Sequence, residues 1–137
     1  MRRENYSAFY HIALVTDLEK PMISDKLKNI LYDYLDIKGK SLNCEIRRIG
    51  GTDNHVHLAI CIPPSVPVCE VIENLKSSSA NYIKKNVSAS DLRWKEGFYL
   101  STISPGDLER IEAHIDSQVI YHLEKNIQDE LTSFYCL

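Results

Sequence analysis

Hydrophobic and polar positions change period several times along this chain, and each change marks an element. Residues 9–16, Phe-Tyr-His-Ile-Ala-Leu-Val-Thr, are dominated by aromatic and β-branched side chains and predict a first strand. From Ser24 to about Leu35, the residues Leu27, Ile30, Leu31 and Leu35 recur at helical spacing, and Gly39 with the polar residues after it predicts the end of that helix. Residues 43–49 predict a second strand, Gly50-Gly51 and Thr52-Asp53-Asn54 a turn or bulge, and residues 55–62 a third strand stopped by Pro63-Pro64. A second helix is expected from Pro67, whose missing N–H costs nothing in a first turn, to about Asn86, with Val71, Ile72, Leu75, Tyr82 and Ile83 as its apolar positions. Residues 98–103 predict a fourth strand. Ser104-Pro105-Gly106-Asp107 is a helix start signal, and Leu108, Ile111, Ile115, Val119 and Leu123 continue it as one last helix over residues 105–130.

The order β-α-β-β-α-β-α predicts an α+β fold: a ferredoxin-like split βαβ antiparallel sheet (βαββαβ), strands one and three central, plus a C-terminal helix. At 137 residues and 15.7 kDa the chain suits a single domain over 1–137, a ferredoxin-like body at 1–104 and the helix at 105–130. Composition narrows the setting. With 44% apolar and 26% charged residues the chain is not disordered, and no apolar run is long enough for a membrane span. No apolar stretch follows Met1-Arg2-Arg3, and Cys44, Cys61, Cys69 and Cys136 form no Cys-x-x-Cys pair. Both points lead to the expectation of a cytoplasmic protein with reduced, mostly buried cysteines.

The third strand carries the chemistry. In His55-Val56-His57-Leu58-Ala59-Ile60-Cys61-Ile62, the even positions form an apolar face that should meet the two internal helices. The opposite face holds two imidazoles followed by two small residues, within reach of one divalent cation. His11 alternates with Ala13 on the first strand and can share that face. On the last helix His114, Gln118 and Tyr121 form one stripe, offset from the apolar seam, that can dock there and close a site.

At these residues the sequence resembles the single-tyrosine HUH transposases (U is apolar), the small transposases of the insertion sequence 200/605 family and their domesticated repeat-associated relatives. Asn54-His55-Val56-His57-Leu58 resembles the HUH motif, and Tyr10 to Thr16 the opening strand. Leu75-Lys76-Ser77-Ser78-Ser79 is similar to the Leu-Lys-x-x-Ser stretch, Leu92 to Tyr99 to the Leu-Trp-x-x-Gly-Tyr-Phe segment, and Ile111 to Gln118 to the frame of the catalytic helix. The resemblance implies DNA transposition by a homodimer acting on single-stranded DNA, usually a hairpin. Two histidines and a Gln hold Mg²⁺ or Mn²⁺ on the scissile phosphate, and a Tyr four residues before the Gln attacks phosphorus to give a 5′-phosphotyrosine and a free 3′-hydroxyl. Carried over, the implied metal ligands are His55, His57 and Gln118. In such dimers the tyrosine helix often completes the partner's site.

One position departs from the pattern: where the family has Tyr, this chain has His114. Three expectations follow. The site has lost phosphotyrosine chemistry and the protein binds DNA without cutting it; or Tyr121, about 10 Å further along the helix, substitutes as nucleophile although reacting atoms must approach within about 3.5 Å; or His114 itself acts as base, ligand or nucleophile. Where relatives carry a basic run after the first strand, this chain has Thr16-Asp17-Leu18-Glu19-Lys20. The expected phosphate contacts are Arg47, Arg48, Lys76, Lys84, Lys85, Arg93 and Lys95, with Trp94, Tyr99 and Tyr82 either stacking bases or filling the core. A zinc site of His55, His57 and Cys61 or Cys69 has unusual spacing, and a two-histidine phosphoesterase would need hydroxyl residues and a second copy of the motif. A regulatory, non-cutting dimer is the remaining class.

Net charge changes this picture last. The overall value of -3 hides a division: residues 1–106 carry 14 basic and 12 acidic side chains, whereas residues 107–137 carry Arg110 and Lys125 against Asp107, Glu109, Glu112, Asp116, Glu124, Asp129 and Glu130. The acidity sits on the segment that has also lost the tyrosine.

Overall fold

A computed structural model describes residues 5–135; Arg2, Arg3 and Cys136 lie outside the described residues. Four strands, β1 (Phe9–Val15), β2 (Glu45–Gly51), β3 (His55–Cys61) and β4 (Tyr99–Ile103), form one antiparallel sheet in the order β2-β3-β1-β4. Helices α1 (Asp25–Ser41) and α2 (Val68–Asn86) connect them in the split βαβ manner expected from the sequence. The alternation read along β3 holds in space. Ile12 and Leu14 of β1 join Val56, Leu58 and Ile60 of β3 in the core under α1 and α2, with Leu27, Leu31, Leu35, Ile72, Leu75 and Ile83. His11, Ala13, Val15, His55, His57 and Ala59 face the other way, yet they too are buried. The second face is roofed by the C-terminal segment.

That roof differs from the single helix expected over 105–130. A 3₁₀ turn (Pro105–Asp107) leads into α3 (Leu108–Asp116), Ser117 leaves helical geometry, α4 (Gln118–Tyr121) is a single turn, and the chain then reverses into α5 (Ile127–Phe134). Val119 and Leu123, expected on the apolar seam, are exposed at 63% and 78%. The apolar contacts come instead from Ile111 and Ile115 of α3, against Ala59 and Ile103, and from Ile127, Leu131 and Tyr135, against Ala13 and Val15. A reciprocal capping box starts α5: Asn126 Oδ1 accepts from the Asp129 N–H at 2.8 Å, and the Asp129 carboxylate accepts from the Asn126 N–H at 3.4 Å.

Smaller differences have equally local causes. Gly39 does not end α1, which runs on to Ser41; it is buried where a Cβ would come within 3.0 Å of Ile46 Cδ1, so it lets the helix lie close on β2. The chain turns at Asn43 instead, in the left-handed region at φ 63°. Tyr82 is 40% exposed and packs on Tyr34 at a ring separation of 4.4 Å, and Cys69 is exposed. Trp94 is structural, donating from Nε1 to Ser79 Oγ at 3.0 Å. Among the described residues no helix is long and apolar enough to cross a membrane.

Gly50 and Gly51 are strand residues, and the bulge lies earlier, between Ile46 and Arg48. Gly50 pairs with His57, and a Cβ on it would sit 2.2 Å from the Ile115 carbonyl oxygen, so α3 rests its backbone directly on β2 at this point. Gly50→Ala is therefore expected to push α3 off the sheet at a cost of about 1–3 kcal/mol. The check is a lowered urea midpoint together with faster amide exchange in residues 108–121. An unchanged midpoint would show that α3 does not need this close approach.

Candidate functional site

Histidine and acid chemistry converges under the C-terminal roof, and a carboxylate stands at its centre. The Glu130 side chain enters from α5 with no solvent exposure. Its Oε1 lies 2.8 Å from His57 Nε2, 3.2 Å from His55 Nε2 and 3.1 Å from His122 Nε2. Its Oε2 lies 2.6 Å from His114 Nε2 and accepts from the Gln118 amide at 2.7 Å. The adjacent pairing of β1 with β3 brings His11 in as well, with its Nε2 2.8 Å from His57 Nδ1.

These contacts fix where the protons sit. Among the described residues Glu130 Oε1 is the one hydrogen-bond partner of His57 Nε2, so that nitrogen donates to it. His57 Nδ1 is then an acceptor, and His11 Nε2–H donates to it. That leaves His11 Nδ1 as a buried lone pair with no hydrogen-bond partner among the described residues. Burial first, then the neighbouring His57 and His114, lowers the His11 pKa to about 3. Burial also lowers that of His57 to about 4, against the opposing pull of Glu130. Burial by itself would raise the Glu130 carboxyl, but the hydrogen bonds it accepts, led by that from His114, outweigh it and hold the group far below the usual carboxylate range. The result is a neutral His11–His57 relay ending on an ionised carboxylate.

The expected site residues do meet, within one chain. His55, His57, His114 and Gln118 all border this carboxylate, and Gln118 Oε1 lies 2.8 Å from His55 Nε2. Tyr121 lies beside this cluster. Its ring stands edge-on to His114 at 4.7 Å, and burial with the nearby Glu130 and Asp129 charges pushes its phenol pKa up, away from the phenolate a nucleophile needs. Sequence reasoning missed Glu130 and His122. The signal that could have found them is the Asn126…Asp129 capping box, which announces a new helix and hence a chain reversal.

Three expected phosphate contacts have other partners. Arg47 pairs with Glu112 at 2.9 Å and Arg48 with Asp116 at 3.3 Å, so two acids one helical turn apart on α3 grip two arginines of β2. Lys76 is buried and donates to the Lys95 and Gly97 carbonyls at 2.9 and 2.6 Å, tying down the segment before β4. Lys84, Lys85, Arg93 and Lys95 are exposed; Arg93 lies 3.9 Å from Asp17 and 3.8 Å from Asp91, and Lys95 donates to the Tyr99 hydroxyl at 3.1 Å.

Comparison with known proteins bears on the family and the fold. The family described as "Transposase IS200 like" matches residues 4–118. No curated protein sequence matches the chain. Among solved structures, a candidate transposase from Deinococcus radiodurans R1 is similar with a TM-score of 0.68 at 18% identity, covering 86% of this chain and 96% of that one. A REP-associated tyrosine transposase bound to a REP hairpin is similar with a TM-score of 0.67 at 12% identity, covering 89% of this chain and 73% of that one.

Proposed function

Because this chain belongs to the IS200-like transposase family, we propose that it binds single-stranded DNA hairpins without making the phosphotyrosine bond. The observation that carries this reading is His114 at the nucleophile position, its Nε2 held 2.6 Å from Glu130 Oε2. An imidazole engaged in that bond offers phosphorus no free lone pair at Nε2, and Tyr121 does not replace it. The hairpin as partner is supported by the similar REP-associated transposase, which is bound to one. Exposed Lys84, Lys85, Arg93 and Lys95 supply positive charge for the phosphates.

The Mg²⁺ or Mn²⁺ of the resemblance, on His55, His57 and Gln118, does not fit the side chains as they stand. His57 presents a proton to Glu130 rather than a lone pair to an ion, so that triad lacks one of its three ligands in this arrangement. A homodimer belongs to the same reading: β4 is an edge strand with Leu100 and the adjoining Phe98 part exposed, and a second copy pairing there would continue the sheet. So does a cytoplasmic setting, in which Cys44, Cys61 and Cys69 stay as free thiols.

The test uses labelled single-stranded DNA carrying an imperfect hairpin, in Mn²⁺, run on native and on denaturing gels. The expected result is a shifted band on the native gel and no adduct surviving denaturation. An adduct that disappears in Tyr121→Phe would overturn the proposal, as would a native gel with no shift. Formation of an adduct by His114→Tyr alone would locate the lost step at that position.

A further inference from the structure

The protons at the site leave a gap that a cation fits. His55 Nδ1 lies 2.8 Å from Asn54 Oδ1, and His122 Nδ1 lies 2.7 Å from the Lys125 carbonyl. Both acceptors require N–H at Nδ1, so in each neutral ring Nε2 is a bare lone pair. Gln118 cannot be turned to supply the missing hydrogen. Its amide nitrogen is fixed by Glu130 Oε2 at 2.7 Å and the His114 carbonyl at 3.3 Å, which aims Oε1 at both rings. His55 Nε2 therefore faces Gln118 Oε1 at 2.8 Å and Glu130 Oε1 at 3.2 Å. His122 Nε2 faces the same two oxygens at 3.2 and 3.1 Å. Four electron-pair donors converge, and no proton lies between them while the rings are neutral.

We propose that His55 Nε2, His122 Nε2, Gln118 Oε1 and Glu130 Oε1 form a tetrahedral site for a borderline transition-metal ion of the Zn²⁺ class. Donors bound at about 2.0–2.1 Å to one tetrahedral ion stand about 3.3 Å apart, close to the four separations above. His55, His122 and Glu130 also bring their ligating atoms within 4.8 Å of one another. The outer contacts have the form metal ligands require: each ring donates its other N–H to a fixed oxygen, and the carboxylate is itself hydrogen-bonded, by His57. Two imidazoles, a carboxylate and an amide in a compact set favour Zn²⁺ or Co²⁺ over Mg²⁺, which prefers six oxygens and keeps its waters. His57, a ligand in the resemblance, is here a positioning residue that holds Glu130. The ion also ties α4 and α5 to β3, and the assignment stands whether or not DNA is cut.

Full-length protein stripped with EDTA and exposed to ZnCl₂, without DNA, tests this. Wild type is expected to retain one equivalent of Zn²⁺ through gel filtration and to unfold at a higher temperature. Co²⁺ in its place should give the intense visible absorption of tetrahedral coordination, and Mg²⁺ at the same concentration should give no thermal shift. His122→Ala and His122→Gln, each verified as folded in EDTA by circular dichroism, should weaken Zn²⁺ at least about tenfold. Equal Zn²⁺ affinity in wild type and both His122 variants would overturn the ligand set. Absence of stoichiometric Zn²⁺ in the wild type would overturn the site itself.

Discussion

Glu130→Ala is expected to destabilise the metal-free protein by about 3–5 kcal/mol, the range for removing one partner from a buried, hydrogen-bonded charge cluster. The cost does not come from lost packing. It comes from the His57 and His114 Nε2–H groups and the Gln118 amide, which donate to this one carboxylate in a space water does not reach. Glu130→Gln keeps the shape and one acceptor but replaces the other oxygen by a donor that meets His or Gln hydrogens head-on, so it should fall between wild type and Ala. Urea unfolding in EDTA measures both variants. If the Ala variant stays within about 0.5 kcal/mol of wild type, surface-like behaviour, the carboxylate is not what holds the roof together.

Acid should unfold the metal-free protein well before ordinary carboxylates titrate. His11 and His57 hold folded-state pKa values of about 3 and about 4, chiefly through burial, against about 6.5 in the unfolded chain. Below pH 6.5 the unfolded state therefore binds protons that the folded state refuses, and stability falls as pH drops through this window, fully expressed only above it. His57 alone accounts for on the order of 3 kcal/mol between pH 6.5 and 4. Glu130 acts with the same sign: its folded pKa is depressed, so its contribution is present above the unfolded value of about 4.3 and fades as pH falls further. Urea midpoints measured from pH 8 to 4 should be level down to about pH 7 and then decline steadily. A midpoint unchanged to pH 4.5 would mean that these rings are protonated in the folded state and that the neutral relay is wrong.

Sequence pattern revealed the sheet and half of the site, and the physical reason for the division is specific. In β3 the two-residue period separates Val56, Leu58 and Ile60 from His55, His57 and Ala59 without reference to anything distant, so the HUH face was legible. His114 and Gln118 are one turn apart and keep that relation although α3 ends between them. Glu130 was not legible from periodicity. In a continuous helix, the 16 residues between it and His114 would place them about 24 Å apart, whereas the reversal after Tyr121 brings them to 2.6 Å. Val119 and Leu123 fitted a helical seam by spacing alone, and only the packing shows that Ile127 and Leu131 bury in their stead. Arg47, Arg48 and Lys76 illustrate a different limit, because a basic side chain in sequence does not reveal intramolecular partners such as Glu112, Asp116 and two backbone carbonyls.

The place where the family resemblance stops has a genetic consequence. It ends at residue 118, with His55, His57, His114 and Gln118 on one side of that boundary and His122 and Glu130 on the other. A stop codon just after Gln118 would delete the central carboxylate and its neighbouring imidazole in a single event. It would leave every motif residue translated, along with the glycine seat and the two arginine clasps that hold α3. Removing the cover over this sheet face is thus one mutational step, undone by reverting the stop codon, whereas placing a tyrosine at 114 is a second and independent one.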